Sequence, residues 1–244
     1  MSYQYAQCVI PTMSIAYSGF KCNGNILPSV TTILSSDDKH IARRKSAGIG
    51  KSKENINKSN NSKVRGLSIH QSVNQYLLRG EANIDPQYFP YWEGVYEQLQ
   101  HLDIHQIYFA ERPQLPKLDH LSAGEYACVW SDRYKFAGIP DLVANVSGVN
   151  AVVEFKTSSN LYTKNYDRKK FKEYHQWYAY SLAASQVSAY GTAFTEQTGI
   201  KIDAGIIINA TQSESQLFIV DTDEMKSRFK KFVTLSNKYR KQYG

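Results

Sequence analysis

At Leu102 the hydrophobic rhythm of this 244-residue chain changes, and the change restricts what it can fold into. Before it, apolar residues recur three and four positions apart: Val30, Ile33 and Leu34; Ile69, Val73 and Leu77; Trp92, Val95, Leu99 and Leu102. That spacing lines one face of a helix. Beyond it, "QIYFAERPQ", "EYACVWS", "YKFAGIPDLVANVSG" and "NAVVEFKTS" read as four strands, the middle ones joined by short turns and hence antiparallel. A long helical segment, "RKKFKEYHQWYAYSLAASQVSAYGTAFTEQTG", comes next, with a break expected near Ser185. "IDAGIIINA" and "SQLFIVD" supply two more strands, and a last helix carries Met225, Phe229, Phe232 and Tyr239 on one side. Helices, a run of strands, a helix, two strands and a helix predict an α/β sandwich built on one mixed sheet. A single domain over 1–244 is expected, mainly helical in 1–104 and with its sheet core in 105–244.

Local signals set the helix ends. Pro28 and Ser29 start one helix, Asp85 and Pro86 start another, and Gly80 closes the helix that holds the Ile69 stripe. "GIGKSKENINKSNNSKV", rich in Lys, Asn, Ser and Gly, is expected to be a mobile loop. "AGIGKS" at 47–52 ends like a phosphate-binding loop, but the first glycine of that motif would fall on Lys45 and no apolar strand precedes it. ATP is therefore not expected. Cys8, Cys22 and Cys128 show no C-x-x-C spacing, which argues against a disulfide framework, a zinc site or an iron–sulfur cluster. No apolar run approaches the length of a membrane span, and the N-terminus lacks the basic-then-apolar pattern of a signal peptide. A cytoplasmic protein without membrane contact is the expectation.

Lys and Arg outnumber Asp and Glu by 29 to 22, unevenly. Between positions 39 and 65 there are nine basic residues against Glu54; a second cluster is "KNYDRKKFK" at 164–172, and a third lies in 226–241. Any one of these is a solvated face. Three in a chain with eighteen tyrosines suit a polyanion, most plainly nucleic acid. Arg65, Lys164, Arg168, Lys169, Lys170 and Lys172 are the candidate DNA contacts.

The chemistry concentrates in "GIPDLVANVSGVNAVVEFKTS". In a strand, residues two apart share a face, so Glu154 and Lys156 point one way and Phe155 the other. Asp141 on the neighbouring strand can reach the same end. Burying two carboxylates and an ammonium costs several kcal/mol per ion unless something compensates. A salt-bridged triad is one solution. A divalent cation is another, because carboxylate oxygens and the backbone carbonyl of Phe155 suit Mg²⁺ or Mn²⁺.

These residues carry a resemblance. "GIPD…EFK" is similar to the Asp and Glu-x-Lys signature of the PD-(D/E)xK nuclease superfamily. "GLSIHQSVNQYL" resembles the Gly-x-x-x-His helix of its RecB-like branch, and "QWYAY" the Gln-x-x-x-Tyr motif of that branch. "LPSVTTIL" resembles a segment of the mitochondrial genome maintenance exonuclease and related phage exonucleases, and Glu125 matches an acidic position there. The likeness runs from about residue 27 to about 210. It departs from the relatives that hold an iron–sulfur cluster on four cysteines.

The resemblance implies a restriction-endonuclease-like core and a metal-dependent deoxyribonuclease using one or two Mg²⁺ or Mn²⁺ ions. His70, Asp141, Glu154 and the Phe155 carbonyl would be the ligands. Lys156 would hold or deprotonate the attacking water, with a pKa lowered by the metal, or neutralise the scissile phosphate. Gln176 and Tyr180 would bind a DNA phosphate or orient Lys156, with a plain packing pair as the alternative. Glu125 is either an acid at or just behind the metal or an exposed strand residue. The substrate implied is single-stranded DNA or a flap in replication, recombination or repair. A recombinase, a single-strand-binding protein or a polymerase could be a partner. A structure- or sequence-specific endonuclease and a non-catalytic DNA-binding accessory protein stand as alternatives.

Overall fold

The computed structural model describes residues 4–5, 12–16, 19–22, 25–37, 53–110, 125–167 and 170–243. Among the described residues there are twelve strands: β1 (Gln4–Tyr5), β2 (Thr12–Ala16), β3 (Gly19–Cys22), β4 (Asn25–Leu27), β5 (Ile104–Ala110), β6 (Glu125–Ala127), β7 (Val129–Ser131), β8 (Phe136–Gly138), β9 (Leu142–Val146), β10 (Val149–Thr157), β11 (Ala204–Ala210) and β12 (Ser215–Val220). The helices are α1 (Val30–Ser35), α2 (Lys53–Arg79), α3 (Phe89–Gln100), α4 (Phe171–Thr198) and α5 (Thr222–Tyr243). A mixed sheet of order β1-β5-β9-β10-β11-β12 forms the centre. Its β10–β11 pair is parallel, and β9–β10 and β11–β12 are antiparallel.

Alternation along β10 divides the interior in two. Val153 and Phe155 face α2 and α3, where Ile69, Val73, Leu77, Trp92, Val95 and Leu99 pack as the helical spacing requires. Val152 faces the other way, toward α1, α4 and α5, with Ile33, Tyr180, Val187 and Phe232. The result is a helix–sheet–helix sandwich, as the sequence predicted.

Several boundaries differ from expectation. Short strands not assigned from the sequence accompany the helices of the N-terminal region: β1 joins the central sheet, and β2, β3 and β4 form a second one with β6. These strands have two to five residues, too short for alternation to register. Residues 53–64, expected as loop, are the first turns of α2, which extends about 40 Å at 1.5 Å per residue. The segment 38–52, with the "AGIGKS" stretch, lies outside the described residues.

There is no break at Ser185. Its hydroxyl donates to the carbonyl of Ser181 at 2.9 Å, so α4 runs on for 28 residues and ends at Gly199, whose φ is +73°. The expected strand at 134–148 is two strands in two sheets, β8 and β9, parted at Ile139-Pro140. Among the described residues no helix is long and apolar enough to cross a membrane.

Candidate active site

The hairpin of β9 and β10 sets the geometry. Ser147 and Gly148 both take positive φ (51° and 82°), as a two-residue type I′ turn requires, and this fixes the register Val146↔Val149 through Leu142↔Val153. Continuing it by two residues puts Phe155 opposite Pro140. In that pair Phe155 turns both its N–H and its C=O toward its neighbour, and proline has no N–H to return. The Phe155 N–H goes instead to Asp141 Oδ2, at 2.7 Å. The Phe155 carbonyl, with no N–H across from it, is left for another partner.

His70 is that partner. Its Nε2 lies 3.1 Å from the Phe155 carbonyl oxygen and its Nδ1 3.3 Å from Asp141 Oδ1. Both ring nitrogens thus face oxygens, while a neutral imidazole has one N–H to share. A second ring proton or a bound cation satisfies both. A carboxylate and a backbone carbonyl are donors that suit Mn²⁺ or Mg²⁺, and the imidazole suits the softer Mn²⁺ better than Mg²⁺, so these residues fit such an ion. A cavity of about 10 Å³ beside them, lined by His70, Asn74, Asp141 and Phe155, is about one water in size.

On the other face of β10, Glu154 is 1% exposed and Lys156 Nζ donates to its Oε1 at 2.6 Å. Lys156 also donates to Gln186 Oε1 at 3.0 Å, and Gln186 Nε2 donates to the hydroxyl of Tyr190 at 3.2 Å. With Glu154 held by Lys156, no three His, Cys, Asp or Glu side chains among the described residues group as a metal site. The donors drawn together are His70, Asp141 and the Phe155 carbonyl. Burial pulls the Lys156 ammonium down, but the charges of Glu154 and Asp141 outweigh it and leave its pKa above the ordinary lysine value.

Lys156 and Gln186 open into a groove of about 670 Å³, also lined by Gln176, Ser62, Ser158 and Thr31. Gln176 is therefore at the site's edge. Tyr180 is not brought to it: the ring is fully buried and its hydroxyl donates to Glu224 Oε2 at 2.9 Å. The Gln-x-x-x-Tyr pair that reaches the lysine is Gln186 and Tyr190. Tyr190 packs on Gly138, where a Cβ would come within 2.5 Å of its ring, so the glycine of "GIPD" makes room for it. The sequence carried this signal as "QVSAY", a second match to the same spacing on the same helix.

The basic candidates divide. Arg65 is turned inward: its Nε donates to Thr157 Oγ1 at 3.1 Å, and its Nη atoms to the Thr157 carbonyl and the Tyr91 hydroxyl, each at 3.2 Å. Lys164 donates to the Ile219 carbonyl at 2.7 Å and lies 3.6 Å from Glu224, tying a loop to the edge of β12. Lys170 is exposed and paired with Glu173 at 3.0 Å. Arg168, Lys169 and the side chains of Lys172 and Glu125 lie outside the described part of the structure. The backbone of Glu125 pairs with Ser14 in the second sheet.

No protein-family model matches the chain, and no curated protein matches it. Among solved structures it is similar to a protein from Eubacterium rectale whose description as an exonuclease is itself provisional. The two superpose with a TM-score of 0.38 at 12% identity, over 72% of this chain and 68% of the other. A likeness that loose bears on neither activity nor mechanism.

Proposed function

We propose that this protein is a metal-dependent deoxyribonuclease of the PD-(D/E)xK type, RecB-like branch, acting on single-stranded DNA or flaps. The observation that carries the reading is His70. A residue 71 positions before Asp141 in sequence stands 3.3 Å from its carboxylate and 3.1 Å from the Phe155 carbonyl. A structural salt bridge between Glu154 and Lys156 gives no reason for that imidazole to be there.

Asp141, the Phe155 carbonyl and His70 would hold Mg²⁺ or Mn²⁺, with Glu154 joining when it turns from Lys156. The ion would acidify the attacking water and offset charge on the scissile phosphate. Lys156, directed by Gln186, would hold a non-bridging phosphate oxygen as the phosphorus–oxygen bond breaks. Gln186, steadied by Tyr190, fixes the direction of that ammonium. The groove beside Lys156 would receive the strand.

The test is cleavage of linear and circular single-stranded DNA with Mg²⁺, Mn²⁺, Ca²⁺ or EDTA. Mg²⁺ or Mn²⁺ should support hydrolysis, Ca²⁺ should allow binding without turnover, and EDTA should abolish it. Full activity in EDTA would falsify the reading. Cleavage of the circle would move the proposal from exonuclease to endonuclease.

A further inference from the structure

Arg65 belongs by sequence to the basic stretch that suggests DNA contact, yet its guanidinium is spent on the protein. We infer that Arg65 is a positioning residue, which sets where α2 sits along β10 and so brings His70 to Phe155 and Asp141. The inference rests on the nuclease reading above.

Two anchor points join α2 to the end of β10. Arg65 meets Thr157, with Nε on Oγ1 at 3.1 Å and an Nη on the carbonyl at 3.2 Å. His70 meets the Phe155 carbonyl at 3.1 Å. Five residues of helix rise about 7.5 Å and two of strand about 6.7 Å, so the anchors match in height, while the turn of about 140° between them has Arg65 and His70 reach β10 from different sides of α2. The helix therefore crosses the strand end with its early turn at Thr157 and its later turn at Phe155.

The third arm of the fork reaches α3. Arg65 donates to the Tyr91 hydroxyl at 3.2 Å, and its guanidinium carbon lies 4.4 Å over the Tyr91 ring. One side chain thus ties three elements at the mouth of the site. Around the second anchor α2 offers apolar contacts at Ile69 and Val73. Such packing tolerates small slides that a hydrogen bond does not, since bonds weaken steeply once stretched or bent. A lysine could replace the charge of Arg65 but not its planar fork.

The test compares Arg65→Met, Arg65→Lys, Tyr91→Phe and Thr157→Val with the wild-type chain. Mn²⁺ affinity is read from the free-ion EPR signal, the His70 ring from ¹⁵N resonances of the metal-free protein, and kcat, KM and salt dependence from an oligonucleotide substrate. Arg65→Met should weaken Mn²⁺ binding and lower kcat by about 10-fold or more, the scale seen when a group supporting a ligand is lost. It should shift the His70 resonances and leave KM and the salt slope within about twofold, whereas a lost phosphate contact would flatten that slope. Arg65→Lys should recover part of the loss. Tyr91→Phe and Thr157→Val should move the same readouts less, and they carry the test if Arg65→Met does not fold.

A raised KM with unchanged kcat and a flatter salt slope would make Arg65 a phosphate contact and overturn the inference. Unmoved His70 resonances in all four variants would overturn it too. A wild-type protein that neither binds Mn²⁺ nor cleaves DNA would sink the nuclease reading instead, and the His70 resonances would still report whether Arg65 positions that ring.

Discussion

Two Gln-x-x-x-Tyr pairs lie ten residues apart on α4, and they do different things. Gln176 lines the outer part of the groove, while Tyr180 is buried against Phe218 with its hydroxyl on Glu224. Gln186 holds Lys156, and Tyr190 holds Gln186. Ten residues amount to about 15 Å of rise and a residual turn of about 80°, so two identical spacings cannot face the same point. What selects between them is where the helix passes the end of β10. Motif letters give a spacing on a helix, and the sheet decides which copy of that spacing is used.

The largest effects should come from the residues that both readings of the helix must serve. Asp141→Asn, Glu154→Gln and Lys156→Met should each lower single-turnover cleavage by about 10³-fold or more, with DNA affinity within a few-fold. Groups acting as one unit lose their effect together, so double variants should be little worse than singles. Losses that multiply, with sizeable residual rates, would mean that the three act separately and that no shared site stands at the end of β10.

The comparison itself is sharpened by Gln186→Leu, Gln176→Leu and Tyr180→Phe, measured on one substrate. Gln186→Leu removes the acceptor that directs the Lys156 ammonium and should cut kcat by about 10- to 100-fold, as for groups that orient a functional side chain. Gln176→Leu, at the groove's edge, should act on KM by a few-fold. Tyr180→Phe should leave kcat within about twofold. If Tyr180→Phe lost more turnover than Gln186→Leu, the pairs would have to be exchanged.

Much of this arrangement was legible in the chain. The apolar run "AVVEF" marked β10, and the two-residue repeat of a strand put Glu154 and Lys156 on one face and Phe155 on the other. The Ile69 stripe placed α2 on the sheet with His70 at its border, and in the structure that ring stands 3.3 Å from Asp141. What was not legible depends on three dimensions. The Phe155 carbonyl was a candidate ligand in sequence, but the reason it is free follows from a register that the Ser147-Gly148 turn fixes. The inward turn of Arg65 and Lys164 depends on acceptors 92 and 55 residues away, Thr157 and Ile219. Charge clusters read as surface because a sequence does not show which cations spend their hydrogen bonds on the fold. The short strands β1 to β4 lacked the length for any periodic signal.

The smallest expected effect concerns stability at the first pair. The Tyr180 hydroxyl donates to Glu224, which also receives Arg228 Nε at 3.1 Å and Nη2 at 2.8 Å. Tyr180→Phe keeps the packing on Phe218 and removes that bond, which should cost about 1–2 kcal/mol at neutral pH. Burial and the Glu224 carboxylate raise the Tyr180 pKa above the ordinary phenol value. The unfolded chain ionises near the ordinary value of about 10, so above that pH the unfolded state binds fewer protons than the native one and stability falls. Phenylalanine carries no such penalty. Urea titrations of both proteins at pH 8 and near pH 10.5 should therefore show the wild-type advantage present at pH 8 and reduced at the higher pH. An advantage that held or grew above pH 10 would mean that Tyr180 ionises easily in the native protein. The hydroxyl would then be reachable from water, and Tyr180 would return as a candidate for the groove.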